Sequence, residues 1–445
     1  MRRGGSAVMG ILLCFLSGCG GSDSTPPAGV TQAPPNNQQP PPAANPAGPW
    51  PVADLTVYDN SGLGFTGDVI DAGPDAAQNM WVVTPVSMYV LRPGQTTFQR
   101  FTAADGLRIQ SFEYPNGQQA VTNITAMAGG HANEVFVGYR GFEGVIPPPA
   151  PPSCCVPNAD FSDPRWAYGQ ADKVTLNPDG TIETLPYRFI CDTSFNCWEE
   201  RSVRRMTFAH QGVATGHLFI GFDHGVTHVY NDTFGDHTHV QTLWHYTDGR
   251  IVLRIGEQYG LAVFPSGDLL TAGGYGVGMR PWNPDPKAWA NDSAWPFLWA
   301  FTTHGPAEPY NNNSEHALDV PEGYREDNRG AAVTPDGTAW WVGSRGLSSY
   351  NHATARWNYT LIRTWDNIPD LPTSGLLDIA ADPDGTLWIV DGTRHLLRFD
   401  PSTSTVRKDW PSVSNVRRVV MDTTVNPRAL YVSMGVNGLA VIRAK

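Results

Sequence analysis

The sequence predicts an all-β fold, a seven-bladed β-propeller closed by pairing of the N-terminal strand with the C-terminal blade. Three observations predict it: the composition, a strand-turn-strand unit that occurs seven times, and a last unit that is one strand short. Glycine (46) and proline (38) are abundant, and charged residues make up only 16% of the chain. This composition is typical of many short strands joined by tight turns.

The N-terminal residues predict export and attachment to a membrane. Residues 1–18 read as a signal peptide, in which two arginines precede the short apolar run AVMGILLCFL. The segment LSGC at 16–19 resembles the lipobox of bacterial lipoproteins. This resemblance implies transfer of a diacylglyceryl group to Cys19, cleavage before it and acylation of the new N-terminus. The alternative is an ordinary secretory leader in which the cysteine is incidental.

A lipid-anchored chain of this kind belongs to the bacterial cell envelope. Gly20 follows the cysteine, whereas an aspartate at that position retains lipoproteins at the inner membrane of many enterobacteria. We therefore expect attachment to the outer membrane, with the periplasmic and the surface side both open.

Residues 19–50 predict a disordered, proline-rich tether that carries the lipid anchor. The segment has almost no apolar side chains to bury, so it cannot offset the entropy cost of ordering. We therefore expect the folded domain over 51–445. The formal net charge of −12, with no basic stripe, argues against a nucleic-acid partner.

The repeated unit consists of a small-apolar run, a turn rich in Gly, Pro, Asp and Asn, and a strand that begins near a large anchor side chain. The seven anchors are Trp81, Phe136, Phe219, Leu270, Trp341, Trp388 and Tyr431. Each unit has room for a four-stranded antiparallel meander, which is one propeller blade. In the third unit, LWHYTDG (243–249) is expected to end the fourth strand. The last unit, which ends in VNGLAVIRAK, has room for three strands and not four, so 52–63 should supply the missing strand of the last blade.

Two of these units resemble a known family. GTAWWVGSRGLSSY (337–350) and GTLWIVDGTRHLLRF (385–399) are similar to the repeats of two-component regulator propellers, the seven-bladed sensor modules of some bacterial histidine kinases. The resemblance covers roughly 52–445 and implies the fold, because its motif builds a blade and binds nothing by itself. Neither a membrane helix nor a kinase follows in this sequence, so we expect no phosphotransfer.

Two loops of the second unit contain four cysteines. The loops 146–170 and 189–200 should lie on the same face, because alternating strand direction places the connections from second to third strand and from blade to blade together. The cysteines are Cys154, Cys155, Cys191 and Cys197. In an exported chain an even number favours two disulfides, and three pairings are open. A metal site is the alternative, although adjacent cysteines lack the usual zinc spacing.

Polar residues directly after the second strand of each blade should surround the central opening. These candidate ligand-binding residues are Arg140, Asp223, His224, Tyr275, Arg345, Asp391 and Arg394. Their mixed charge and aromatic character suit a polar ligand such as a sugar or a peptide. The alternative is that they cap turns and pair with one another.

Histidines are concentrated in the third unit. His237 and His239 are two residues apart and would share one face of a strand, and with His224 they form the candidate metal ligands. Structural or solvent-facing histidines are the alternative, because no recognised zinc spacing occurs. No nucleotide, calcium or hydrolase motif is present, and we predict no cofactor.

These observations favour a non-catalytic binding, scaffolding or sensor-like module for an envelope protein or glycan. The alternative is an extracytoplasmic lyase or hydrolase with a metal or acid/base site at the propeller mouth. Because one fold carries many functions, the site has to decide between them.

Overall fold

The computed structural model describes most of the chain between residues 53 and 444. The described ranges are 53–59, 67–109, 111–113, 119–140, 171–187, 202–222, 225–234, 241–245, 251–255, 257–274, 276–290, 299–301, 328–351 and 363–444. All of them belong to one compact unit, 44–445.

Within these ranges the strands form seven four-stranded antiparallel sheets, which we call blades 1 to 7. Blade 1 contains Asp71–Pro74, Met80–Thr84, Ser87–Leu91 and Gln99–Phe101. Blade 2 contains Ile124–Gly129, Glu134–Tyr139, Ala171–Leu176 and Ile182–Tyr187. Blade 3 contains Val203–Phe208, Leu218–Phe222, Val226–Tyr230 and Thr233–Phe234. Blade 4 contains Gln258–Val263, Leu269–Gly273, Gly276–Arg280 and Trp299–Phe301.

Blades 5 and 6 follow the same order, and blade 7 joins the two ends of the described chain. Blade 5 contains Asn328–Val333, Thr338–Gly343, Gly346–Asn351 and Arg363–Thr364. Blade 6 contains Asp378–Ala381, Leu387–Val390, Leu396–Asp400 and Thr405–Arg407. Blade 7 contains Arg418–Asp422, Ala429–Ser433, Leu439–Ala444 and Ala53–Tyr58. In its outermost pair, Ala53 lies opposite Ala444 and Tyr58 opposite Leu439.

The first strand of each blade is the innermost one, and the seven innermost strands form a closed ring. Each contacts the innermost strand of the next blade, and that of blade 7 contacts that of blade 1. The chain is therefore an all-β, seven-bladed β-propeller, as predicted.

Shorter elements lie in the connections, the helix within blade 4 and the others between blades. A 3-10 turn spans Ala103–Asp105, a short helix spans Pro286–Ala290, and a two-stranded hairpin pairs Ser111–Glu113 with Gln119–Val121. A second hairpin pairs Gln241–His245 with Ile251–Ile255. The prediction for 243–249 was therefore wrong, because this strand pairs locally and does not join the sheet of blade 3. No helix in the described ranges is long and apolar enough to cross a membrane.

Glycine and alanine recur in the innermost strands of blades 1, 2, 4, 5 and 6 because these strands approach each other closely around the axis. A Cβ on Gly129 would overlap the carbonyl oxygen of Pro74 in the preceding blade. A Cβ on Gly260 would lie 2.6 Å from the backbone nitrogen of Ala331. Only glycine permits backbones to approach to this distance. The small-apolar runs of the sequence therefore mark the strands nearest the axis.

The anchor side chains lie on the second strand of each blade and pack against the following blade. Trp81 packs in the core between blades 1 and 2, and Trp388 in the core between blades 6 and 7. In blade 5 the residue in this position is Trp340, which packs against blade 6, whereas Trp341 packs against blade 4. The prediction of Trp341 as anchor was thus wrong by one residue, since neighbouring residues on a strand face opposite sides.

An indole hydrogen bond ties three of these anchors to the turn that precedes them. Trp81 Nε1 donates to Asp75 Oδ2 at 3.0 Å, and Trp388 Nε1 donates to Asp382 Oδ2 at 3.3 Å. In blade 5 the acceptor is a hydroxyl, with Trp340 Nε1 3.0 Å from Thr334 Oγ1. The PDG-type turn and the aromatic anchor are therefore one structural unit.

We expect Trp81→Phe to destabilise the fold more than Trp340→Phe does. Both changes remove an indole donor from a buried site, but the acceptor left behind is a carboxylate in blade 1 and a hydroxyl in blade 5. The expected losses in the free energy of unfolding are about 2 kcal/mol and about 1 kcal/mol. Urea unfolding measures both, and equal losses would contradict a role for the charged acceptor.

Candidate functional site

The two faces of the ring differ in their connections. We call loop face the side on which the innermost strands begin, and turn face the opposite side, which carries the PDG-type turns. The connections 140–170, 188–202 and 302–327 all start and end at the loop face. The turn face is closed mainly by short hairpin turns such as 334–337 and 382–385. The long connections therefore start and end mainly at the loop face.

One position near the start of the innermost strands forms a charged layer across the axis. It lies four residues before the turn residue in each blade, where Asp75 and Asp382 stand in blades 1 and 6. The layer consists of Asp71, Ala126, Arg205, Gly260, Gly330, Asp378 and Arg418. Two carboxylates and two guanidinium groups balance, and the other three residues are small enough to leave them room.

One ion pair of this layer joins neighbouring blades and the other joins blades on opposite sides of the axis. Arg205 of blade 3 donates from Nη1 to both carboxylate oxygens of Asp378 in blade 6, at 3.2 and 3.1 Å. Arg418 of blade 7 donates to Asp71 Oδ2 at 2.7 Å and to the carbonyl oxygen of Arg204 in blade 3 at 3.1 Å. The channel along the axis is therefore crossed at this level by side chains.

Backbone hydrogen bonds hold both carboxylates in place. The amide of Met127 donates to Asp71 Oδ2, and the amide of Val419 donates to Asp378 Oδ2, each at 3.0 Å. The carboxylates of Asp71 and Asp378 also raise the pKa of Arg418 above its ordinary value, although burial opposes this. The layer is a fixed network that links blades 1, 2, 3, 6 and 7.

A cavity of about 290 Å³ lies between this layer and the turn face. All seven innermost strands contribute to its wall, mostly through alanine, valine and glycine. Arg205 and Arg418 form its floor. At the turn face its lining includes His210, Asp422 and the exposed Thr423, and Gln211 Nε2 reaches across to Thr423 Oγ1 at 3.1 Å.

Four of the seven predicted rim residues lie in the described ranges, and all four are on the loop face. Arg140 is exposed, and Arg345 is half-buried with a pKa lowered by loss of solvent. Asp391 Oδ1 accepts hydrogen bonds from the amides of Thr393 and His395, both at 2.9 Å, so it caps its own turn. Asp223, His224 and Tyr275 lie outside the described residues.

Arg394 belongs to a charged cluster that sequence reasoning missed. Burial, and then the neighbouring Arg417, lower the pKa of Arg394, while Asp68 opposes them. Arg417 Nη2 donates to Asp68 Oδ2 at 3.0 Å. Two guanidinium groups thus share one carboxylate beside the axis. The signal was present in the loops, since Asp68 precedes the first innermost strand and Arg417 precedes the last.

Two of the blade 3 histidines form a buried aromatic stack. His217 Nδ1 lies 2.6 Å from His228 Nε2, so one ring donates to the other. His217 stacks on Tyr230 with ring centroids 3.9 Å apart, and His228 stacks on Phe219 at 4.8 Å. Trp282 closes the stack from blade 4. Burial lowers the pKa of both histidines, and the Arg280 charge lowers that of His228 further.

The predicted cysteine and metal sites fall where the structure is not described. Cys19, Cys154, Cys155, Cys191, Cys197, His237 and His239 lie outside the described residues, as do the leader, the tether and the loops 146–170 and 189–200. Within the described ranges, no three His, Cys, Asp or Glu side chains converge as metal ligands would. The disulfides and the lipid anchor therefore stay predictions.

No protein-family model matches this chain, and no curated protein matches it significantly. Several solved structures are similar. YCF48 bound to D1 peptide has 14% identity and a TM-score of 0.49, over 91% of this chain and 99% of that one. A chain of the Mitotic Checkpoint Complex has 12% identity and a TM-score of 0.47, over 93% and 99%. The WD40 β-propeller domain of Doa1 has 12% identity and a TM-score of 0.43, over 85% and 93%. The sheet order and ring contacts establish the fold, and the resemblance to two-component regulator propellers stays a prediction.

We expect Arg205→Met to destabilise the protein by about 3–5 kcal/mol, because it leaves the buried Asp378 carboxylate without a cation at hydrogen-bonding distance. Adding Asp378→Asn should recover part of this loss, since the unpaired charge is then removed. Chemical denaturation of the single and double variants measures the coupling. Arg407→Met is the matched control, because its ion pair with Asp409 is exposed and worth at most about 1 kcal/mol. A loss at Arg205 no larger than this would contradict the role of the layer.

We expect the free energy of unfolding to fall as the pH drops from 7 to 5. Unfolded histidines take up protons near their ordinary pKa of 6.5, whereas the buried pair has a lowered pKa and stays neutral, so the unfolded state binds more protons. The expected loss is on the order of 1–2 kcal/mol for each histidine. A His217→Gln, His228→Phe variant should show a shallower pH dependence. His395→Gln, at an exposed site, should leave the dependence unchanged; an unchanged slope in the double variant would refute the assignment.

Proposed function

We propose that this chain is an exported, lipid-anchored propeller that binds a protein or glycan of the bacterial cell envelope through its loop face, without catalysis. The observation that carries the proposal is the excess of guanidinium over carboxylate groups among the described residues near the axis on that face. Arg394 and Arg417 share Asp68, and Asp391 is occupied by its own turn. The chain as a whole has a negative net charge, so this local excess of positive charge is opposite in sign to the net charge.

Partly dehydrated guanidinium groups favour a partner that presents carboxylates. Arginine binds carboxylates through two parallel hydrogen bonds, and water exclusion strengthens such contacts. The pKa values of Arg345 and Arg394 are both lowered by loss of solvent, so their charged forms gain from an anionic partner. An acidic peptide segment or a glycan with carboxylate groups supplies this chemistry.

The distribution of loops supports the same face. Binding residues are found disproportionately on loops held by a rigid scaffold. Here the connections 140–170 and 302–327 both leave the sheets at the loop face, and the charged layer ties the underlying strands together. The export signal and the LSGC segment support placement in the envelope, with the tether leading from the lipid to the domain.

Photo-cross-linking in intact bacteria tests this proposal. The full chain with its own leader carries a photo-reactive residue at Ser344 on the loop face or at Gln95 on the turn face, both exposed. We expect a discrete cross-linked product from Ser344, recovered with the membrane fraction, and none from Gln95. A Cys19→Ser chain should leave the membrane fraction.

Charge variants make the test specific. An Arg394→Gln, Arg417→Gln chain should lose the Ser344 product by about tenfold, because two charge-assisted contacts are removed. Arg407→Gln is the matched control, since its exposed guanidinium lies at the outer edge of blade 6. Equal products from both faces, or a Ser344 product unaffected by the double variant, would overturn the loop face as the binding surface.

A further inference from the structure

Each innermost strand has a β-bulge directly before the charged layer. In blades 2 to 5 the pairing with the second strand shifts by one residue there, which leaves one residue extra. In blades 1, 6 and 7 the amide of the equivalent residue donates to the carbonyl oxygen of the residue paired with its successor. We call these seven residues the bulge ring: Ile70, Thr125, Arg204, Tyr259, Arg329, Leu377 and Arg417.

The residues of the bulge ring surround the opening of the channel at the loop face. All seven are half-buried, whereas both neighbours of the bulge residue are buried in six of the blades. The second strand covers the outer edge of each innermost strand, and adjacent blades cover its faces. Solvent therefore reaches these residues from the axis. Bulges often turn a side chain toward a functional site, so we searched this ring for binding chemistry.

Three positions of the bulge ring carry a guanidinium group, namely Arg204, Arg329 and Arg417. The layer below them balances its own charges. Two described carboxylates accompany the ring, since Asp68 precedes blade 1 and Glu257 precedes blade 4, so the described charges at this level have a positive sum. A guanidinium group has five N–H donors, so an arginine that already has one partner can bind a second acceptor.

One of these arginines is held by an aromatic ring. Arg329 Cζ lies 4.5 Å from the centroid of the Tyr259 ring, between blades 5 and 4. A guanidinium plane stacked on a ring keeps its N–H donors along its edges, and a carboxylate binds at such an edge through two parallel hydrogen bonds. The stacked Arg329 is therefore suited to an incoming carboxylate.

The channel beneath the bulge ring is narrow and closed. Arg205 and Asp378 come from opposite sides of the axis and meet at 3.1 Å, so two side chains placed end to end span the channel. A group that enters from the loop face consequently stops at the bulge ring. This width suits one unbranched side chain better than a pyranose ring, which is bulkier.

We propose that the bulge ring binds a single carboxylate side chain, a glutamate or aspartate of an acidic peptide segment that inserts along the axis. Arg204 and Arg329 bind the carboxylate, and the apolar Ile70 and Leu377 contact its aliphatic stem. This inference rests on the proposed function for the binding face and the charge of the partner. It adds the position of the contact, and it selects a protein over a glycan.

Ligand-observed NMR with the purified full-length protein tests the proposal. The probes are acetylated, amidated Gly-Glu-Gly and its neutral isostere Gly-Gln-Gly. We expect the glutamate peptide to bind in the millimolar range and the glutamine peptide at least about tenfold more weakly, because only the carboxylate forms charge-assisted hydrogen bonds. Equal binding of the two peptides, or no binding of the glutamate peptide, would overturn the proposal.

A third probe, methyl glucuronide, compares the two sources of a carboxylate. We expect it to bind more weakly than the glutamate peptide, because its ring is too bulky for the narrow channel. Tighter binding of the glucuronide would assign the opening to a glycan and would overturn the choice of a peptide. These comparisons use the unaltered protein and do not depend on how a variant folds.

An Arg204→Gln, Arg329→Gln variant assigns the contact to the bulge ring. It should bind the glutamate peptide about tenfold or more weakly than the parent does, because two charge-assisted contacts are lost. Arg407→Gln, at an exposed ion pair on the outer edge of blade 6, is the matched control and should bind as the parent does. Unchanged binding in the double variant would reject the site.

The same variant separates this inference from the proposed function when it is carried into the cross-linking experiment. We expect the Ser344 product to be lost in the Arg204→Gln, Arg329→Gln chain. A product that persists there, but is lost in the Arg394→Gln, Arg417→Gln chain, would reject the axial site and keep the loop face. Glutamate-peptide binding that depends on Arg204 and Arg329, without any Ser344 product, would keep the site and reject the envelope partner.

Discussion

The crowding of seven strands around one axis is the constraint on which the rest of this structure depends. Side chains at the start of the innermost strands must be small or must share the same space, and the charged layer does both. Ala126, Gly260 and Gly330 leave room, and two aspartates and two arginines fill it with balanced charge. Because buried charges are tolerated only when paired and hydrogen-bonded, the composition of one blade is tied to that of others.

The turn residue and the anchor show how the hydrogen bonding of one repeated position depends on the anchor that follows it. Where Asp75 or Asp382 meets a tryptophan, the carboxylate completes a blade. Where the anchor is Tyr431, the equivalent Oδ2 of Asp422 is buried without a hydrogen-bond partner among the described residues. The charges of the loop face are placed differently, because Arg394 lies in the turn between the second and third strands of blade 6 and Arg417 directly precedes the first strand of blade 7.

Much of the fold could be predicted from the sequence, because a blade is built from local contacts. Turn residues at fixed offsets and small-apolar runs located the seven innermost strands, and the shortfall after Tyr431 predicted a contribution from the N-terminal segment. The prediction of Trp341 in place of Trp340 shows the limit of such alignment. Either tryptophan satisfies the pattern, and only the packing face distinguishes them. The strand at 243–249 was misplaced because its pairing with 251–255 is local and follows no repeat.

The site was harder to predict because its contacts join distant parts of the chain. Asp71 and Asp75 have the same spacing as Asp378 and Asp382, and this was a readable signal of equivalent positions. Their partners, Arg418 and Arg205, come from other blades, and no spacing within a repeat indicates them.

The ion pair that crosses the axis also bears on how such a ring can change over evolutionary time. In repeat proteins whose units touch only their neighbours, units are gained or lost one at a time. Here the guanidinium of Arg205 in blade 3 crosses the axis and contacts the carboxylate of Asp378 in blade 6. Removing or duplicating a single unit would shift these partners out of reach and leave a charge buried alone. The charged residues at the axis are thus matched to a ring of seven blades. A ring of six or eight blades would need a different set of charges at its centre.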